Sequence, residues 1–147
     1  MSHDFSKEFF AVYHAAVMEA LGKDAVKYNA KIGILLSGHW LERLNTLPAN
    51  TAAFKEAIEE YLNGPFRFSD VAEMTFNNDG TAFLYIKECD ICPGNEILRN
   101  NGKEGRCPIS QMVKSAIGKT LKKKAELTGS EKPGPVGECY LKYKIGE

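Results

Sequence analysis

The feature that most restricts the fold is a change of hydrophobic period near residue 64. Upstream of it, apolar residues recur every three or four positions; downstream they alternate. From Phe5 to Leu21 they fall at Phe5, Phe9, Val12, Tyr13, Ala16, Val17, Ala20 and Leu21, the stripe of an amphipathic helix. Gly22 then offers a C-terminal stop. A second helix is expected from about Asp24 to Asn45. Its centre, KIGILLSGHWL, is apolar nearly all round, so burial on several sides is expected. Gly33 and Gly38 weaken it as an isolated helix and permit close packing. A third helix should run from Thr51 to Asn63, with Phe54, Ala57, Ile58, Tyr61 and Leu62 on one face, closed by NGP.

VAEMTF and TAFLYIKE are then strand-like runs joined by NNDG, and Asp79-Gly80 is a hairpin signal. In the second run Ala82, Leu84 and Ile86 share one face. A cysteine-bearing loop follows, with a short helix expected around Asn95 to Arg99. Pro108 suits the first position of another helix, whose stripe is Ile109, Met112, Val113, Ala116, Ile117 and Leu121. The chain closes with KAELTG, the turn SEKPGPVG and an alternating strand in which Cys139, Leu141, Tyr143 and Ile145 point one way. The order ααα-ββ-α-ββ argues for an α+β fold, helices packed on a roughly four-stranded antiparallel sheet. The 147 residues fit one domain, helical over about 1–65 and carrying the sheet and cysteines over about 66–147.

Charge narrows the partners. Lys plus Arg equals Asp plus Glu at 19 each, so no bulk attraction to nucleic acid or an acidic membrane is expected. KTLKKKAEL is a local basic run, read as a solvated helix end or a phosphate-binding patch. No apolar run is long enough to span a bilayer. MSHDFSKEFF lacks a signal-peptide pattern, so a cytoplasmic location is expected, where thiols stay reduced.

The four cysteines, Cys89, Cys92, Cys107 and Cys139, follow the spacing C-x2-C-x14-C-x31-C. Three of them lie in ECDICPGNEILRNNGKEGRCP. In a reducing compartment a C-x2-C reads as metal-binding or catalytic. Four thiolates suit a closed zinc site, and cysteines before proline, as Cys92 and Cys107 are, also suit an iron–sulfur cluster. The expectation is a metal site formed by all four, zinc ahead of iron–sulfur. Three other readings stay open: cysteines that fill the core, a Cys89–Cys92 redox pair, and Cys107 as a nucleophile at a helix N-terminus.

The segments TAFLYIKECD, GRCPISQMVKSAIGKTL and GECYLKYKI, with KIGILLSGHWLERL upstream, resemble the 4-vinyl reductase-like domain. That resemblance implies a single small-molecule-binding α+β module with a pocket for a hydrophobic or aromatic ligand, often with a structural zinc. Cys107 matches the family's helix-opening cysteine; Gly137 and Cys139 match its last strand. The segment LTGSEKPG lacks the cysteine common there, so Cys89 and Cys92 would stand in as ligands. A similar layout occurs in the L-2-amino-thiazoline-4-carboxylate hydrolase-like family, which would imply ring hydrolysis by a thiolate or a metal-bound water. CPISQMVK lacks the acidic residue expected there.

The leading functional expectation is therefore a binding or accessory domain whose pocket is lined by Trp40, Phe66, Phe68 or Phe83. Its partner would be a small hydrophobic or aromatic molecule, and a homodimer through exposed helix faces is compatible with it. A hydrolase using Cys107 or an open metal site, and an iron–sulfur redox protein, are the alternatives. Nucleotide-dependent and metalloprotease chemistries lack their motifs.

Overall fold

A computed structural model of the chain describes residues 7–146. The expected helix start at Phe5 and the terminal His3 lie outside the described residues. Helix α1 (Lys7–Leu21) ends where Gly22 takes a positive φ of 55°, and a 3-10 turn (Gly22–Asp24) leads into α2 (Ala25–Glu42). Helix α3 (Thr51–Leu62) is capped by the Asn50 side chain, which accepts from the Ala53 N–H at 2.8 Å, a contact worth about 1 kcal/mol. Strands β1 (Val71–Phe76) and β2 (Thr81–Lys87) form the expected hairpin. At its turn Asp79 accepts from the Thr81 N–H at 3.0 Å, and Gly80 supplies a φ of 85°. Helices α4 (Cys92–Asn100) and α5 (Pro108–Leu121) follow, then β3 (Ala125–Glu131) and β4 (Cys139–Ile145).

The sheet is fully antiparallel in the order β1-β2-β4-β3. Its helix-facing side is a ladder of buried pairs: Ala72 opposite Ile86, Met74 opposite Leu84, Leu84 opposite Leu141, and Ala82 opposite Tyr143. Helices α3 and α5 cover this side, and α2 packs on α5. The core joins these sheet residues to Phe54, Ile58 and Leu62 of α3 and to Ile109, Met112, Val113 and Ile117 of α5. The α+β architecture is that expected from the sequence, and α4 is the short helix expected around Asn95 to Arg99, begun three residues earlier at Cys92.

Helix α2 differs from its expected burial on several sides. Its buried face is Ala25, Asn29, Gly33, Ser37 and Trp40, while Ile34 and Leu35 are exposed. The cause is a close approach to α5: a Cβ on Gly33 would collide with Gln111 and with the Met112 backbone. Ser37 and Ser115 share a 2.9 Å hydrogen bond across the same contact.

The β1 edge is not left open. Asn63 donates to the Ala72 carbonyl at 2.8 Å and accepts from the Ala72 N–H at 3.0 Å. One turn back, Glu59 accepts from the Met74 N–H at 2.8 Å, and Lys55 donates to the Met74 carbonyl at 2.7 Å. Three side chains at helical spacing thus stand in for a neighbouring strand and satisfy the edge. Among the described residues, no helix is long and apolar enough to cross a membrane.

Candidate functional site

Two concavities meet at Ile91, one among the helices and the other between α4, α5 and the sheet. The first is an apolar cleft of about 470 Å³, within the size range of small-molecule sites. Helix α1 lines it with Phe10, Tyr13, His14, Val17 and Met18, and α2 with Ile32 and Leu36. The loop after α3 adds Pro65, Phe66, Arg67 and Phe68; Asp90 and Ile91 and the start of α5, Pro108 and Ile109, complete the wall. The cleft opens where α1 leans mainly on α4 and meets α2 through the cluster of Ala15, Met18 and Ala25. That lean requires Gly94: a Cβ there would sit 2.7 Å from the Ala11 carbonyl oxygen and 3.0 Å from the His14 ring.

His14 fixes the same contact. Its Nε2 lies 2.8 Å from Asn95 Oδ1 and 2.9 Å from the Arg106 carbonyl oxygen. Asn95 Oδ1 also accepts from the Arg106 N–H at 2.8 Å. Both atoms facing Nε2 are acceptors, so Nε2 carries the proton.

The second concavity, about 220 Å³, is lined by all four cysteines. Cys89 follows β2 after Glu88, which holds a φ of 56°, and its N–H donates to the Gly137 carbonyl at 2.9 Å. Cys92 opens α4, and Cys107 is the residue before α5. Cys139 opens β4 opposite Ile86. None is in a disulfide. Arg99, Arg106 and Lys132 lie in the cavity wall, the two arginines paired with Glu96 and Glu104, and the buried Asn29 Oδ1 has no hydrogen-bond partner there. Cys139 and then Cys89 hydrogen-bond to Cys92 and pull its thiol well below the ordinary range, against its burial; Lys132 and Arg99 add to the effect. Cys89 and Cys139 are pushed up, first by their bonds to Cys92 and then by burial. The three thiols titrate together as one group. Burial raises the Cys107 thiol. Among the described residues, no group of three or more His, Cys, Asp or Glu side chains has the arrangement to hold a metal ion.

The sequence-selected aromatic residues separate. Phe66 and Phe68 stand together on the cleft wall, their ring centroids 6.2 Å apart. Trp40 lies in the core, 1% exposed, edge-on to Phe54 at 5.6 Å. Phe83 is on the outer face of the sheet against Tyr140 at 5.3 Å. The α1 wall and the Asp90–Ile91 segment were not foreseen. One signal existed: Phe9, Phe10, Val12 and Tyr13 are more apolar surface than one buried helix stripe needs.

No family model and no curated protein matches the chain. Among solved structures it superposes on a trafficking protein particle complex subunit 3 from Naegleria fowleri, solved covalently bound to palmitic acid. The TM-score is 0.61, over 96% of this chain and 95% of that one, at 15% sequence identity. The two chains share a fold. At that identity the likeness extends to architecture: a two-layer α+β body with the same span of chain from end to end.

Proposed function

We propose that this protein is a binding module for a small, elongated hydrophobic molecule of the acyl-chain class, held in the cleft between α1, α2 and the Pro65–Phe68 loop. The observation that carries the reading is the cleft itself. Apart from His14, Arg67, Asp90 and the Tyr13 hydroxyl, its lining is apolar, and apolar lining with few polar groups is the usual make-up of a ligand site. Arg67 and Asp90 would orient a polar head, while Val17, Ile32, Leu36 and Phe66 would contact the chain. The fatty acid on the structural neighbour, a protein of the same architecture, supports the ligand class. The test is a fluorescence titration with cis-parinaric acid. Saturable binding to the wild type, weakened in Leu36→Glu and retained in Phe83→Ala, is expected. Equal binding in all three proteins would remove the cleft as the site.

A second reading keeps the cysteines as a thiolate metal site, favoured by the convergence of all four on one cavity. Their side chains would have to draw together to bind zinc or an iron–sulfur cluster. Metal content after anaerobic purification tests it: about one zinc per chain supports zinc, and iron with visible colour supports a cluster.

A further inference from the structure

The C-x2-C loop belongs to both concavities. Cys89 and Cys92 line the cysteine cavity, while the two residues between them, Asp90 and Ile91, line the apolar cleft. The loop is also tied to the opposite cleft wall: the Asp90 N–H donates to the Phe68 carbonyl at 2.9 Å. Within it, the Ile91 N–H donates to Cys89 Sγ at 3.4 Å. The two sulfurs thus flank, in one short loop, residues that form part of the cleft wall.

We propose that Cys89 and Cys92 form a disulfide with a hydroperoxide as oxidant, and that this bridge reshapes the Asp90–Ile91 wall and weakens ligand binding. The two thiols lose two protons and two electrons and form the S–S bond. The peroxide O–O bond takes up the electrons and breaks, giving an alcohol and water. The cavity beside both sulfurs, about 220 Å³ with Arg99, Arg106 and Lys132 in its wall, admits a small polar oxidant. Cys89 is the partner rather than Cys139 because Cys89 sits in a loop, whereas Cys139 is fixed in β4 by its pairing with Ile86. Forming the bridge takes the Cys89 sulfur from the Ile91 N–H and strains the Asp90–Phe68 bond.

The affinity part of this inference rests on the cleft being the ligand site; the bridge and the loop movement do not. Reduced, EDTA-treated protein is exposed to hydrogen peroxide. Peptide mapping then locates the bridge, hydrogen exchange follows the Asp90 and Ile91 amides, and cis-parinaric acid reports affinity. Expected are a Cys89–Cys92 bridge, faster exchange at both amides, and affinity lower by roughly fivefold or more, the lower end of coupling between linked sites. All three responses should vanish in Cys89→Ser and persist in Cys139→Ser. No Cys89–Cys92 bridge, a Cys92–Cys139 bridge instead, or a Cys89–Cys92 bridge with unchanged exchange would each overturn the inference. Faster exchange with unchanged affinity would overturn its affinity part. If the probe binds neither form, the ligand reading falls, and mapping and exchange still decide the loop.

Discussion

Chain-length dependence is the sharpest consequence of the cleft. Its volume is about 470 Å³, and several of its lining residues, among them Val17, Ile32, Leu36, Phe66 and Ile91, are themselves half-buried, so it is a groove open on one side. Complete burial of a methylene contributes about 0.8 kcal/mol. A chain lying in an open groove keeps part of its surface in water, so about 0.4–0.8 kcal/mol per methylene is expected. That corresponds to roughly a 2- to 4-fold gain in affinity per carbon. Extending a saturated monocarboxylate by about four carbons should therefore tighten binding roughly 15- to 250-fold, until the cleft is full. The assay is displacement of cis-parinaric acid, with each competitor below its micelle concentration. In Leu36→Glu the gain per carbon should shrink, because a charge enters the apolar wall. A flat series in the wild type, or an equal slope in the variant, would refute the reasoning.

Four further outcomes follow from the same geometry. Asn63→Ala strips both edge-facing groups of Ala72; a loss of about 2 kcal/mol, or about 4–8 °C in melting temperature, is expected by thermal denaturation. Lys122 ends α5 with a left-handed φ of 57°, so Lys122→Gly should add about 1 kcal/mol in a denaturant titration. Gly94→Val should separate α1 from α4 and abolish cis-parinaric acid binding, since a side chain there meets the Ala11 carbonyl. Tyr85 donates to Glu138 at 2.6 Å, and that bond, with smaller help from burial and the Glu138 charge, pushes its phenol up to about 12. Its contribution to stability is present below the ordinary phenol range and lost as pH rises through about 12. In a pH titration followed by tyrosine absorbance, Glu138→Gln should return this group toward its usual range.

The hairpin from Val71 to Lys87 could be read almost residue by residue. Its alternation fixes which side chains face the core, and Asp79-Gly80 fixes the turn. Helix α4 was harder, because Pro93-Gly94 has the composition of a turn. In the fold the proline sits at the helix start, where its missing N–H costs nothing, and the glycine meets α1. Helix α2 misled for a related reason. Its polar and small residues Asn29, Gly33 and Ser37 face α5 closely, which leaves Ile34 and Leu35 outside. The meeting of the four cysteines was legible from where each sits on its element. The cleft was not, because its wall comes from five separated segments, and no local pattern records the gap between α1 and α2. Phe66 and Phe68 could be nominated as aromatic residues beside a helix end; Ile91 could not, since its role depends on the cysteines at either side.

Photo-crosslinking with a diazirine-bearing fatty acid, followed by peptide mapping, tests the central claim most directly. Adducts confined to the α1 and α2 segments around Val17 and Leu36, and to the loops around Phe66 and Ile91, are predicted, with loss of labelling on competition by unmodified fatty acid. Adducts on the outer sheet face around Phe83 and Tyr140, or spread over the exposed apolar residues without competition, would contradict it.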